Sequence, residues 1–478
     1  MTDARRPNII MILTDDHAAH AISAYGSRVN QTPRIDEIAQ RGRRLQNCFV
    51  TNSICTPSRA SILTGTHSHV NGVYGLQTPM QANQPTFVSQ LKSAGYATAI
   101  FGKWHLGEGP GHDPVDFDEW AVLRGQGEYF DPYFLTEDGV IQRKGYATDL
   151  ITDMSLDWLE RRDPDQPFCL LIHHKAPHRP WEPDEKHAGM YAEADIPLPE
   201  TFWDDYATRG SAAHRALMRV ADDLMLRDVK QTPPEGLSYE DLAVWKYRRY
   251  LEDYLACVAS VDDNVGRVID WLDEQNLYDD TVLSYVSDQG FFLGDHGWFD
   301  KRFMYEESLR MPFVVSCPSL VPASEDPVTK IISNVDFART LLEATGVEPH
   351  ERMQGDSFWG QLTGESADEV EGEFYYRYWE NDESNHNTLA HYGLRTERYK
   401  IIYFYNDGMG IPGTSQRKYP PEWELYDLQE DPHELRNVFG DPAYADVRDQ
   451  MISRLHAEQL RVGDKPHPSQ LAGRLSGV

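Results

Sequence analysis

Short apolar segments of strand length alternate with helical patterns along most of this chain. The strand-like segments are residues 8–13, 96–101, 168–172 and 281–286. Helical patterns lie at 34–42, 86–94 and about 246–274. Because a helix is the usual crossover between parallel strands, this alternation predicts a mainly parallel α/β sheet with helices on its faces.

The composition changes after residues 363–366. Beyond them, short alternating segments are typical of antiparallel strands, and a helical pattern follows. These segments are 374–379, 392–395, 399–405 and 423–428, with the helix at 445–460. Since 478 residues exceed one small domain, we expect a large α/β domain at 1–365 and a smaller α+β domain at 366–478. Residues 190–245 are polar, acidic and interrupted by prolines, which predicts a surface insertion.

The net charge of the chain is strongly negative. It has 45 Lys and Arg against 76 Asp and Glu, which gives −31. Long-range attraction of nucleic acid or of an anionic membrane is therefore not expected. An anionic substrate would have to be attracted locally, by a metal ion and a few cationic side chains.

Cysteine usage and the chain start bear on the compartment. The five cysteines are an odd number without regular spacing, so no disulfide framework is expected. The sequence contains no run of about 18 apolar residues, so no transmembrane helix is expected. The apolar segment 9–13 is too short for a signal peptide, so the sequence as given predicts a cytoplasmic protein. A trimmed signal peptide would instead indicate a periplasmic or secreted protein.

Two predicted strands end in adjacent polar residues. Asp15 and Asp16 follow the first strand, and Asp288 and Gln289 follow the strand at 281–286. Ligands bind at the carboxyl ends of strands in open α/β sheets, and an all-oxygen set suits Ca²⁺ or Mg²⁺ better than zinc. The alternative is that the aspartates only cap the next helix.

A cysteine opens a predicted helix at residues 52–65. Cys55 is followed by Pro57, which suits the first turn of a helix, and by Arg59, one turn further on the same face. Ser53 or Thr56 could cap the helix, and Gly65 is expected to end it. The free N–H groups of a helix start and the fork of an arginine suit a tetrahedral anion. The alternative is a buried structural cysteine.

This run resembles the signature of type I sulfatases, in which a maturation enzyme oxidises the cysteine to Cα-formylglycine. Other segments resemble the same family in the expected order, among them 102–107 (GKWHLG), 176–180 (APHRP) and 297–301 (GWFDK). The resemblance extends from about residue 8 to 437. It implies an alkaline-phosphatase-like fold, with a large mixed sheet flanked by helices.

The resemblance also implies site residues and a mechanism. It places Asp15, Asp16, Cys55, Asp288 and Gln289 around a calcium ion, where Mg²⁺ is also possible, although the family usually has Asn at the position of Gln289. The hydrate of formylglycine would attack sulfur, and sulfate would leave as the aldehyde reforms. The implied catalytic residues and their roles are Cys55 as the nucleophile, Arg59 orienting it, Lys103 and Lys301 neutralising the sulfuryl group, His178 as the general acid and His105 as the base.

Within the family, the segments 14–17, 21–26, 30–33 and 67–72 look most like glycan sulfatases related to N-acetylglucosamine-6-sulfatases. The expected partners are then a sulfated sugar, or another small sulfate ester, and the maturation enzyme. Candidate sugar contacts are Trp181, His296, Trp298 and Arg302, each of which could equally serve packing. The competing hypotheses are a phosphonate monoester hydrolase or phosphodiesterase of the same superfamily, and a catalytically silent glycan-binding protein.

Overall fold

The computed structural model describes residues 6–366 and 372–475. Its strands are β1 (Asn8–Thr14), β2 (Arg43–Arg44), β3 (Cys48–Phe49), β4 (Ala97–Lys103), β5 (Glu119–Leu123), β6 (Tyr133–Thr136), β7 (Gly139–Gln142), β8 (Phe168–His173), β9 (Thr281–Ser287), β10 (Phe292–Leu293), β11 (Phe299–Asp300), β12 (Phe313–Ser316), β13 (Ile332–Ser333), β14 (Glu373–Tyr378), β15 (His391–Thr396), β16 (Tyr399–Phe404) and β17 (Glu422–Asp427).

The α-helices lie mainly between these strands. They are α1 (Pro33–Gln40), α2 (Cys55–Thr64), α3 (Ser68–Asn71), α4 (Phe87–Ser93), α5 (Ala147–Arg161), α6 (Ser211–Arg215), α7 (Val220–Asp223), α8 (Leu226–Val229), α9 (Tyr239–Glu274), α10 (Glu306–Leu309), α11 (Phe337–Thr345), α12 (Trp359–Thr363), α13 (Ala445–Val462) and α14 (Pro468–Leu475).

A nine-stranded mixed sheet forms the centre of the molecule. Its spatial order is β2-β12-β9-β1-β8-β4-β5-β6-β7. The strands β9, β1, β8, β4 and β5 are parallel, and β12, β6 and β7 pair antiparallel. The predicted mixed α/β fold is therefore confirmed, and the four predicted strands lie at its centre.

The sheet is covered on both faces. Along β1, Ile9 and Met11 enter one hydrophobic cluster, and Ile10 and Ile12 enter the other. This alternation follows from the two-residue period of a strand. The long helix α9 packs on the second face and begins seven residues before the predicted 246, because Ser238 caps it by accepting from the N–H of Asp241.

The surface insertion predicted at 190–245 is only partly correct. The segment contains three short helices, and part of its apolar residues are buried, among them Phe202, Tyr206, Met218 and Leu224. These residues are spaced irregularly through turns, so no strand or helix period marked them as core in the sequence. The segment therefore forms part of the packed body of the protein.

The C-terminal region forms the predicted antiparallel sheet and closing helix. The order is β14-β15-β16-β17. Helix α13 packs on one face through Met451 and Leu455, while Tyr376 and Phe404 on the other face join the main core. The boundary at 365/366 stays a prediction, and residues 367–371 lie outside the described ranges.

Two further sequence expectations concern cysteines and membranes. All five cysteines are buried free thiols, which confirms that the chain has no disulfide framework. Among the helices of the described ranges, none combines the length and apolar character needed to cross a bilayer.

Candidate active site

The polar residues at the ends of β1 and β9 converge at the carboxyl edge of the sheet. Because β1 and β9 are parallel neighbours, Thr14 is in register with Ser287, and the residues that follow meet. The backbone N–H of Asp16 donates to Oδ1 of Asp288 at 3.3 Å. Carboxylate oxygens of Asp15, Asp16 and Asp288 lie within 4.8 Å of one another.

Cys55 is the first residue of α2 and points into this carboxylate cluster. Its sulfur lies within 4.8 Å of ligand atoms of Asp15 and His178, and 4.0 Å from Nε2 of Gln289. The side chain is 1% exposed. As predicted, Pro57 lies in the first turn, and Gly65 ends the helix with a φ of 61°.

The predicted side-chain cap of α2 is wrong. Ile54 holds the cap position, and no side chain accepts a hydrogen bond there. The Ser53 hydroxyl instead donates to the carbonyl of Ser308 at 2.9 Å, and Thr56 Oγ1 lies 3.4 Å from Nδ1 of His105. The start of the helix beside Cys55 therefore presents its positive end without a capping side chain.

Arg59 connects three elements of the site. Its Nε donates to Oδ2 of Asp288 at 2.9 Å, and one terminal nitrogen donates to the carbonyl of Lys103 at 2.8 Å. The other terminal nitrogen, Nη2, is buried and has no hydrogen-bond partner among the described residues. The guanidinium thus keeps one donor for an oxyanion.

Two lysines contact the aspartates that follow β1. The ammonium of Lys103 contacts Asp15, and that of Lys301 contacts Asp16. Lys103 is the last residue of β4, whereas Lys301 follows β11, so the cations come from different elements. Both lysines are nearly inaccessible, with exposures of 0% and 3%.

The histidines of the site differ in geometry. Nδ1 of His178 lies 2.5 Å from the carbonyl of Arg179, and Nε2 lies 3.8 Å from Asp16 Oδ2. Since only a protonated Nδ1 can bond to a carbonyl, Nε2 is the atom free for proton exchange. His105 adopts a φ of 55°, because the extended backbone of β4 has already ended at Lys103.

Burial and neighbouring charges shift the pKa values of the groups in this cluster. Burial raises the pKa of Cys55 to about 12, and burial together with the Asp15 charge also raises the pKa of Asp288, which Arg59 opposes. Burial alone would also raise the pKa of Asp15, but Lys103, followed by His178 and Arg59, holds it well below its usual range. Burial lowers the pKa of His178 and of His105.

The donor set fits a divalent cation. Oδ1 of Asp15 and Oε1 of Gln289 are buried and have no hydrogen-bond partner among the described residues. With the carboxylates of Asp16 and Asp288 they form an all-oxygen set, the type that hard cations prefer. Two unpartnered buried oxygens are costly unless a cation or donor satisfies them.

Sequence reasoning missed three residues beside this cluster. The carbonyl oxygen of the Gln126 side chain accepts from the Lys103 ammonium at 2.5 Å. The hydroxyl of Tyr129 donates to the carbonyl of His178 at 2.7 Å, and the Lys175 ammonium lies 4.8 Å from the centroid of the Tyr129 ring. Gln126 and Tyr129 lie in the β5–β6 loop, where no motif marked them. Lys175 directly follows His173 and His174 in the sequence, but no role was predicted for it.

Three of the predicted sugar contacts are buried away from solvent. Trp181, His296 and Trp298 are each 0% exposed. Trp181 packs against Tyr250, while Trp298 stacks on Tyr206. These contacts explain the tryptophans without a ligand, and sugar contacts through these three residues stay predictions.

Arg302 has a different setting, directly after Lys301. Its guanidinium contacts Asp300, and His386 Nε2 lies 3.2 Å from the same carboxylate. Asp300 and Arg302 have φ angles of 80° and 91°, a backbone region that costs free energy for residues other than glycine. This strained segment brings side chains of the C-terminal region next to Lys301.

Comparisons with known proteins identify the family of this chain. The sulfatase family model matches residues 7–347, and a second one, described as N-sulphoglucosamine sulphohydrolase, C-terminal, matches 294–461. The chain is 39% identical to an N-acetylglucosamine-6-O-sulfatase of Bacteroides thetaiotaomicron, over 97% of this chain and 88% of that protein. It is 26% identical to an arylsulfatase of Clostridium perfringens, over 92% of this chain and 91% of that protein.

Solved structures agree as well. A protein in complex with its substrate, D-glucosamine-2-N,6-O-disulfate, matches with a TM-score of 0.89 at 39% identity, over 96% of this chain and 98% of that one. The phosphonate monoester hydrolase of Agrobacterium radiobacter matches with a TM-score of 0.75 at 20% identity over 96% of each chain, which shows a shared fold alone. Family membership implies a divalent metal and a formylglycine. This chain belongs to the sulfatase family of sulfuric ester hydrolases.

Proposed function

We propose that this protein removes a 6-O-sulfate from a glucosamine-type sugar. The observation that carries the proposal is the 39% identity, over nearly the whole chain, to an N-acetylglucosamine-6-O-sulfatase. The match in fold to a complex with a disulfated glucosamine supports the same class of substrate. A sugar alkoxide is a poor leaving group, so the site must supply a proton as well as a nucleophile.

Cys55 is the proposed nucleophile position, modified to formylglycine. A formylglycine hydrate supplies a hydroxyl nucleophile, and its second hydroxyl lets the sulfate be expelled again. Cys55 suits this role because it opens an uncapped helix and faces Asp15 and His178. The proposed partner is therefore a formylglycine-generating or other sulfatase-maturing enzyme.

Calcium is the proposed metal. Asp15, Asp16, Asp288 and Gln289 would hold it through oxygen atoms, with the modified residue 55 beside it. A divalent cation there would supply positive charge to activate the nucleophile and to balance the sulfate. Ca²⁺ suits a set that includes a neutral amide and closely spaced carboxylates, whereas Mg²⁺ requires stricter octahedral geometry.

Lys103, Lys301 and Arg59 are proposed to stabilise the charge on the transferring group. The Lys103 ammonium comes from the end of β4 and the Lys301 ammonium from the segment after β11, and Arg59 retains one donor without a partner among the described residues. Fixed cations in a buried site are effective because they need no reorganisation when charge develops. Gln126 would hold the Lys103 ammonium in place through its 2.5 Å contact.

His178 is the proposed general acid, acting through Nε2. The Arg179 carbonyl fixes Nδ1 as a donor, so a proton on Nε2 is the one that can pass to the leaving sugar oxygen. Tyr129 holds the same backbone segment through the His178 carbonyl. His105, whose Nδ1 lies 3.4 Å from Thr56, is the proposed base for the second hydroxyl of residue 55.

A panel of position-defined sulfated sugars tests the proposal. Fully modified enzyme is assayed on glucosamine 6-O-sulfate and, as the matched control, glucosamine 3-O-sulfate, with aryl sulfate and aryl phosphonate esters alongside. We expect sulfate release from the 6-O-sulfate in clear preference to the 3-O-sulfate. A higher rate on the phosphonate would support the phosphonate hydrolase instead. No turnover of any ester would support a glycan-binding protein.

The cytoplasmic location stays a prediction, which fractionation of the native host tests.

A further inference from the structure

Among the described residues, no strand pairs with the outer edge of β7. Strand β7 is the last strand in the order of the nine-stranded sheet, and β6 is its neighbour on the other side. All residues from 137 to 145 are exposed, including two β-branched apolar side chains, Val140 at 55% and Ile141 at 37%. An exposed edge strand offers unpaired backbone groups to another strand.

The backbone of β7 has a defined orientation. The Arg143 N–H donates to the Pro132 carbonyl at 3.1 Å, and the Gly145 carbonyl accepts from the Asp131 N–H at 2.9 Å. Odd-numbered residues therefore direct their backbone groups toward β6. Because these directions alternate along a strand, Val140 and Gln142 direct theirs toward the open edge.

Charges at the two ends of β7 have opposite signs. Glu137 and Asp138 precede the strand, and Arg143 and Lys144 follow it. An antiparallel copy of the same strand would bring each end against the other. The whole chain carries a net charge of −31, which disfavours self-association in general. The segment 137–144, in contrast, carries two acidic and two basic residues and is balanced in charge.

We propose that β7 pairs antiparallel with β7 of a second copy of this chain, forming a dimer with a continuous sheet. Only outward-facing residues can exchange hydrogen bonds, and this condition is met when Val140 lies opposite Gln142 of the second copy. In this register Asp138 lies opposite Lys144 of the second copy, and Glu137 is diagonal to Arg143. Ile141 meets Ile141 of the second copy on the two-fold axis, as an isologous interface requires.

The β7 register distinguishes pairing from simple protection of an edge. Charges that only prevent aggregation need no particular order, and inward-facing or uniform lysines would serve. If the second copy were shifted by one residue, outward-facing backbone groups of one strand would lie opposite inward-facing groups of the other. If it were shifted by two residues, so that Val140 lay on the axis, Asp138 would lie opposite Gln142 and lose its opposite charge. The register with Ile141 on the axis satisfies both backbone orientation and charge.

A charge-swap experiment tests this pairing. The single variants Asp138→Lys and Lys144→Asp each replace attractive pairs with repulsive ones on both sides of the axis. We expect each to raise the dimer dissociation constant on the order of tenfold in sedimentation over a concentration series. An equimolar mixture of the two variants restores opposite charges at both pairs, and so does the double variant. Both should regain dimers of wild-type affinity.

Controls and contrary results follow from the same design. Thermal unfolding and sulfatase activity should be unchanged in both single variants, since neither residue belongs to the site. Hydrogen exchange should slow at the amides of Val140 and Gln142 when the dimer forms, and not at Ile141. A wild-type protein that stays monomeric at all concentrations overturns the proposal. Dimers that persist in the single variants, or that the mixture does not restore, overturn the β7 register.

Discussion

Arg59 and Asp288 form a buried ion pair, with Nε 2.9 Å from Oδ2, across 229 residues of sequence. Their side chains are 1% and 0% exposed. The pair joins the helix that begins at Cys55 to the end of the central strand β9. It therefore fixes the distance between the proposed nucleophile and the proposed metal ligands.

Loss of Arg59 should destabilise the fold strongly. Arg59→Ala leaves the Asp288 carboxylate buried without its partner, which costs about 3–5 kcal/mol. Urea denaturation of metal-free protein measures this free energy of unfolding. Arg161→Ala is the matched control, because its pair with Glu119 is exposed and should be worth less than about 1 kcal/mol. Equal losses in the two variants would contradict the structural role of the Arg59 pair.

His178 should matter more for a poor leaving group than for a good one. His178→Ala is expected to lower the rate on a sugar sulfate on the order of 10²–10⁴, because the alkoxide then leaves without a proton. The loss on nitrophenyl sulfate should be clearly smaller. Lys103→Ala should lower both rates alike, since both substrates develop charge on sulfuryl oxygens. Equal losses with His178→Ala would indicate sulfate binding, and the acid would be sought at His173 or His174.

Gln289 should contribute directly to metal binding. Gln289→Ala removes a buried carbonyl oxygen that has no other partner among the described residues, so Ca²⁺ affinity should fall at least about tenfold. Calorimetric titration of unmodified protein measures this without reference to activity. Gln289→Asn keeps the amide but shortens its reach, and an intermediate affinity is expected. Unchanged affinity in both variants would mean that Gln289 is not a ligand.

His296 should make stability depend on alkaline pH. Burial alone would lower its pKa, but the hydrogen bond to Asp204 at 2.9 Å and the Glu307 carboxylate at 3.6 Å raise it to about 9. Because the pKa is higher in the folded state, the charged imidazole stabilises the fold fully below about pH 6.5. This contribution to the free energy of unfolding is lost as the pH rises through about 9. The loss should be on the order of 3 kcal/mol.

Denaturation at pH 6 and pH 9.5 measures the effect of His296. His296→Asn should show a smaller decline than the wild type, because it carries no titrating group. His433→Gln, which changes an exposed histidine, should follow the wild type. Parallel declines in all three proteins would show that His296 is not charged in the folded state.

The sequence predicted the central strands and the site at their ends for a physical reason. Fully buried strands are mainly apolar and carry no charged residue here, so charged residues directly after them, such as Asp15 and Asp288, stand out. The β5–β6 loop carries Gln126 and Tyr129 without periodicity or motif, so their contacts could only be found in the fold. The predicted cap of α2 was wrong because the Ser53 hydroxyl donates to the carbonyl of Ser308, a tertiary contact that the local sequence does not indicate.

The modification of Cys55 is the central claim, and peptide mass spectrometry tests it most directly. In active preparations the peptide that contains residue 55 should be about 18 Da lighter than its unmodified form, through loss of H₂S and gain of O. Across preparations, specific activity should rise in proportion to the lighter fraction. Full activity in a preparation that carries only unmodified cysteine at residue 55 would contradict the account.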